Sequence, residues 1–265
     1  VLGPLLLARA DGTVLRAPRV GPVSSILEAP EGLWVAARAG LRQLAASDGR
    51  VLRTIAYPSG AAAVKRMRAG VLAPDGSIWG VFSGAGIFQY RDGAWRREPL
   101  LPDGGAKVPL ALLADAAGRL WLSYADGSVA MLEKGRLHAF GPAQGLDLGK
   151  IPMLIEYHGQ VWAGGQRGVA LWRGGRFVAL RSEPASATEG VVGLLRARDG
   201  SLWLNHGGGA AHIAAAEVEL ALRDAAHAMR ATSYDAVDGL NGSIGMLHNR
   251  SVAEADDGKI WFSRQ

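Results

Sequence analysis

The chain has 265 residues, 49% hydrophobic and 20% charged, a balance that suits a soluble globular protein with a large core and excludes a disordered chain. It has no cysteine, which removes disulfides and thiolate metal sites, and its longest apolar stretches, such as 1–8, fall well short of the ~20 residues of a membrane-spanning helix. The net charge of +5 is scattered, and its densest groups, KRMR at 65–68 and RDGAWRR at 91–97, read as solvated loops and turns, so nucleic acid is not an expected partner.

In chain order, LLLARADGTVLRA (5–17) reads as two short strands around an Asp-Gly turn. One context then recurs six times: EGLWVAA (31–37), DGSIWGV (75–81), AGRLWLS (117–123), HGQVWAG (158–164), DGSLWLN (199–205) and DGKIWFS (257–263). Trp34, Trp79, Trp121, Trp162, Trp203 and Trp261 are therefore 45, 42, 41, 41 and 58 residues apart. Each unit reads as an apolar run, a turn at Asp-Gly or a relative, an apolar run carrying Trp, a glycine-containing turn and two further short strands. Asp-Gly and His-Gly supply the positive φ of a two-residue hairpin turn joining the first two strands.

A repeat of this length with four strands and one Trp cannot bury its faces alone, so units must stack, and a closed ring protects the sheet edges. Each Trp is expected to pack against the next unit, burying on the order of 150 to 250 Å², with Trp95 and Trp172 as additional packing between units. The expected fold class is all-β, a six-bladed β-propeller of four-stranded antiparallel blades in one domain, 1–265. Its blades span about 23–58, 64–102, 108–146, 151–186 and 191–240, and the termini share a closing blade, 247–265 plus 1–20. The long fifth spacing holds a short helical insert near 215–229, where AAEVELALRDAAHAM lacks Gly and Pro and Glu219 and Arg223 stand at i,i+4. Val218, Leu222 and Ala225 share the face expected to pack on the propeller flank. Because the chain starts at Val1 and stops within a strand-like run, a segment of a longer protein is expected.

With D-x-x-G-x-[IL]-W cores followed by a glycine turn, as in EGLWVAARAGL and DGSIWGVFSGAGI, and with the run 215–240 followed by DDGKIWF, the sequence resembles the two-component regulator propeller family. The likeness extends over essentially the whole chain; HGQVW in the fourth unit and the missing Gly-Leu turn in the third depart from it. It implies a periplasmic sensor segment of an inner-membrane histidine kinase or diguanylate cyclase, responding to carbohydrate or another small solute. Its expected partners are a small polar solute or oligosaccharide, the rest of a membrane-bound sensor chain and a second copy in a homodimer. Neither a cofactor nor catalysis by the segment itself is expected.

In a propeller, the loops between second and third strands converge at one mouth of the central channel, where ligands bind concave surfaces. The residues just after each Trp strand are Arg38, Ser83, Tyr124, Gln166, Arg167, Asn205, His206 and Arg264. Guanidinium and amide donors suit an oxygen-rich ligand, and a Tyr face can stack on a sugar ring. Two alternatives remain open: a scaffold for protein partners, and a propeller lyase akin to the streptogramin lyases, with Glu189, His206 and His248 holding a metal or moving a proton.

Overall fold

The computed structural model describes residues 6–8, 14–16, 23–29, 32–38, 40–58, 67–101, 107–242 and 251–264. Five successive units, 23–55, 67–97, 109–140, 153–183 and 191–234, each form a four-stranded antiparallel sheet whose strands pair in chain order. Leu6–Ala8 pairs with Val14–Arg16, and Val252–Glu254 with Ile260–Phe262, as two separate two-stranded ladders. Among the described residues the chain is thus all-β with one α-helix, in a propeller-like arrangement. The first strand of each unit lies against the first strand of the next, from Val23–Ala29 round to Val252–Glu254.

Register is set by two kinds of turn, and their distribution differs from expectation. His158-Gly159 is the expected two-residue turn, with φ of 49° and 76° and Tyr157 paired with Gln160. At the Asp-Gly sites the loop is one residue longer. Gly76 donates to the Ala73 carbonyl at 2.9 Å and Ala73 donates to that of Ser77 at 2.8 Å, the pattern of a three-residue hairpin with a glycine bulge. The aspartate explains the difference: Asp75, Asp199 and Asp257 each accept the N–H two residues further on, an Asx turn that leaves only the following glycine at positive φ. Two-residue turns recur instead between third and fourth strands, at Asp92-Gly93, Lys134-Gly135 and Gly174-Gly175.

The hydrophobic core is divided among the joints between units. Leu27, Trp34 and Leu41 of the first unit pack with Met67, Ile78 and Phe82 of the second, Trp79 and Val81 with Leu120 and Leu122 of the third, and Trp121 and Met131 with Leu154 and Phe177 of the fourth. Trp162 joins the fourth unit to Leu194 and Leu204 of the fifth, and Trp203 approaches Phe262 at 6.1 Å. Trp95 and Trp172 serve the same joints, at 5.3 Å from Phe82 and 5.2 Å from Trp121. Trp261 departs from the pattern: it is 63% exposed, because its strand ends a two-stranded ladder with nothing paired beyond it among the described residues.

Polar staples fix how adjacent units meet. Where first strands begin, the Ser24 hydroxyl donates to the Met67 carbonyl at 2.7 Å and Ser123 to that of Ile151 at 2.5 Å. Near the other end, Glu156 accepts the Ala116 N–H and Glu254 that of Arg198, both at 2.8 Å. Arg196 fills a joint as a buried cation, its side chain 2% exposed between the rings of Tyr157 and Trp162, 4.8 and 5.3 Å from their centroids.

The insert in the fifth unit forms α1, Ala215–Arg223, shorter than the 215–229 run because the Asp224 carboxylate accepts the Ala226 N–H at 2.9 Å and turns the chain out. Val218 and Ala221 bury in the core between the fourth and fifth units, and Leu222 packs against it. Glu219 stands 3.7 Å from Arg196 rather than serving only the helix. After the helix the chain returns as Ala228–Tyr234, whose start pairs in parallel with the end of the long strand Arg176–Glu183, joining the fourth and fifth units into one eight-stranded sheet. Glu217 clasps this return: its carboxylate accepts the Arg230 N–H at 3.1 Å, Arg230 Nε at 3.0 Å and His227 Nε2 at 2.8 Å. The Arg230 N–H above all, with His227 and the Arg230 guanidinium, holds the Glu217 pKa down at about 2.

A carboxyl with a lowered folded-state pKa stabilises the fold above its unfolded value of 4.5 and loses that contribution as pH falls toward about 2. Thermal melts from pH 6 to pH 2.5 are expected to show a smaller drop in Tm for Glu217→Gln than for the natural chain, with the variant less stable at pH 7. Parallel pH profiles would contradict the clasp.

Candidate functional site

The register places the ends of the second strands beside the starts of the first strands: Val23 opposite Ala37, Met67 opposite Phe82, Pro109 opposite Tyr124, Met153 opposite Gly164 and Val191 opposite His206. Arg38, Ser83, Tyr124, Gln166, Arg167, Asn205, His206 and Arg264 therefore lie at or just beyond corresponding ends of their strands. On the axis is a cavity of about 410 Å³, lined by first-strand segments of four units (25–27, 69–72, 110–114, 152–154) together with Ala253. None of the eight candidate residues lines it. They lie at strand ends outside its lining, in three different situations.

Arg38, Ser83, Gln166 and Arg167 are exposed. The last two sit on a braced turn: Lys150 N–H donates to Gln166 Oε1 at 3.0 Å, Arg167 N–H to the Leu148 carbonyl at 3.0 Å and Gly190 N–H to the Gln166 carbonyl at 2.9 Å. The Arg167 guanidinium pairs with Asp147, and both side chains remain more than half exposed. A backbone-fixed turn presenting a solvated guanidinium and an amide can donate to hydroxyl or carboxylate oxygens.

Tyr124 is only 3% exposed and packs in the joint between the second and third units. Burial first, then Asp126, pushes its phenol up to about 12. Lys107, a residue the sequence reading missed, stands 4.6 Å from the centroid of its ring and reaches Asp126 at 2.9 Å and Ser128 at 2.8 Å. The ring is thus covered rather than offered for stacking. Lys107 precedes a strand without any motif, and only the fold brings it to this turn.

Asn205 and Arg264 are brought together as structure. Asn205 is fully buried, its amide 3.4 Å from both the Ser251 and Ser263 carbonyls, the position in the fifth unit that Ser123 holds in the third. Arg264 donates to Asn205 Oδ1 at 3.2 Å, to Gly209 O at 3.0 Å and to Gly242 O at 2.9 Å, tying the last strand pair to the fifth unit. His206 is half-buried beside them, its Nδ1 accepting the Gly208 N–H at 3.3 Å and its Nε2 enclosed without a hydrogen bond. Burial and then Arg264 lower its pKa. Of the alternative metal trio, Glu189 is exposed and His248 lies outside the described residues. No group of three His, Asp or Glu placed to hold a metal occurs among the described residues.

No family model matches the sequence, and no curated protein does. Among solved structures the chain is similar to the extracellular domain of the hybrid two component system BT3049 from B. thetaiotaomicron, with a TM-score of 0.52 and 14% identity over 91% of this chain and 37% of that one. It is similar to virginiamycin B lyase from Staphylococcus aureus, at a TM-score of 0.62 and 12% identity over 99% of this chain and 81% of that one. A third neighbour is PorZ, a surface component of the type-IX secretion system of Porphyromonas gingivalis, at 0.60 and 15%, covering 91% and 38%. At these identities the likeness is one of fold. Extracellular domains of two-component systems, which the resemblance implied, are among these neighbours, and so is a lyase. No helix among the described residues is long and apolar enough to cross a membrane.

The two kinds of candidate separate energetically. Asn205→Ala removes one acceptor of the Arg264 guanidinium and the amide that reaches the Ser251 and Ser263 carbonyls, and the loss of these buried bonds should cost about 1–3 kcal/mol in denaturant unfolding. Arg167→Ala removes an exposed ion pair and should cost less than about 1 kcal/mol. Equal costs would mean that Asn205 is not a staple.

Proposed function

We propose that the chain is the ligand-sensing propeller segment, periplasmic in location, of a transmembrane signalling protein, binding a carbohydrate or other small polar solute at the mouth of its central channel, without catalysis of its own. The observation that carries this reading is the axial cavity, bordered by separate units and flanked at one end by the exposed donors of Arg38, Ser83, Gln166 and Arg167. Its volume lies within the ~300–1,000 Å³ of small-molecule sites. A solute touching several units at once binds better to one relative placement of them than to another, and that differential affinity is what a sensor transmits to the attached chain or to a second copy.

In this reading the ring has six blades, and the strand pair 6–8 and 14–16 completes the pair 252–254 and 260–262. The exposure of Trp261 where most of its counterparts are covered, together with the shared lining of the cavity by Ala253 and 25–27, supports closure at this point. A complete blade would also cover the free edge of 260–262, which otherwise invites strand addition.

A saccharide that binds at the mouth should raise the melting temperature, with about 2.7 kcal/mol of added stability at a hundredfold excess over Kd. Arg167→Ala should remove most of that shift; a full shift in the variant would place the ligand elsewhere. For closure, removing 1–18 should lower Tm and promote self-association in light scattering, whereas an unchanged monomer of unchanged Tm would contradict the shared blade.

A further inference from the structure

The lining of the axial cavity differs in character from its mouth. Among the described residues, those that line the cavity include Ile26, Val71, Leu112 and Met153 and no ionisable side chain; of these Ser25 alone carries a side-chain hydroxyl. Ile26 keeps 39% of its surface exposed, an alkyl side chain left uncovered at the cavity wall. First strands are bonded to a partner on one side only, so alternate N–H and C=O groups of each point away from its sheet. The cavity reaches the mouth: Leu110 adjoins the Pro109–Tyr124 pair, and Pro152 and Met153 adjoin the pair with Gly164, two residues before Gln166.

A charged group entering this space would lose hydration with no counter-charge to replace it. An alkyl chain or an uncharged ring would gain by burial, while any amide or hydroxyl it carried could bond the free strand edges. We infer that the ligand is amphipathic: an oxygen-rich head held at the mouth by the exposed turn residues, and an uncharged apolar tail inserted along the axis between the first strands. This rests on the ligand-sensing reading and adds the chemical class. It separates a glycoside or acyl sugar from a free sugar acid, for which the cavity offers nothing.

Methyl, butyl and hexyl β-glucoside, all below their micellar concentrations, and glucuronate are the probes, read by calorimetry on the whole chain. Affinity should rise with tail length by up to about fourfold per fully buried methylene. Ala253→Trp, at an exposed wall position, should fill the channel and abolish the length dependence, and Ile26→Asp, at a half-open position, should do so by charge. Two substitutions of opposite chemistry guard against misfolding of either, checked by their melts. Binding of methyl glucoside or glucuronate with no gain from the tail would overturn the inference and leave the sensing reading intact. Length dependence unchanged in both variants would place the tail elsewhere and overturn the inference too. Silence from all four probes would count against the inference and against a glucoside-type head at the mouth.

Discussion

The structure depends on one constraint: a four-stranded sheet with two apolar faces cannot be left with either face in water. Each unit here solves this by pressing a Trp-bearing face on the next, Trp34 toward Phe82, Trp121 toward Phe177 and Trp162 toward Leu204. The cores belong to the joints rather than to the units, so stability is a property of neighbours. A linear stack governed by this rule would expose one face at each end, and curvature that brings the ends together removes both. The bonds of Ser24, Ser123 and Asn205 to the next strand's carbonyls, and of Glu156 and Glu254 to the preceding unit's turn, set the angle at which successive sheets meet.

What could be read from the sequence follows from how local each cause is. The Trp spacing announced the units because one bulky residue must occupy the same place in each, and the Gly-free stretch at 215–229 announced a helix, formed over 215–223, because propensity acts within a few residues. The Asp-Gly turns were located correctly, but their extra residue was not foreseen, since it depends on the aspartate bonding its own backbone two residues on. The polar residues at the strand ends were the least legible. Asn205 and Arg167 look alike as candidates, yet one is fully enclosed by the next unit and the other stands in solvent. Which fate a polar side chain meets is decided by the neighbouring unit, and nothing within its own unit reports it. The same limit hid Lys107, which acts on a turn twenty residues away.

The division of labour between wall and mouth has an electrostatic basis. Alkyl side chains along the axis leave backbone dipoles as the main polar features of the interior, while formal charge is kept where water can solvate it, as at Arg167 and Asp147. Cations that do enter the body of the protein are matched individually, Arg119 by the Asp115 carboxylate at 2.5 Å and Arg196 by aromatic faces and Glu219. The axis can remain neutral because the charges lie at the joints and the rim.

The parallel pairing of 181–183 with 228–230 also changes the mechanics of the molecule. Elsewhere around the described units, neighbouring sheets are separate hydrogen-bonded ladders, held to one another by side-chain packing and a few polar staples. Between the fourth and fifth units backbone hydrogen bonds continue from one sheet into the next across the outer strands, a weld in an otherwise jointed row of units. A change in the angle between sheets is then resisted least at the joints held by side chains alone, with the fourth and fifth units forming the stiffer frame.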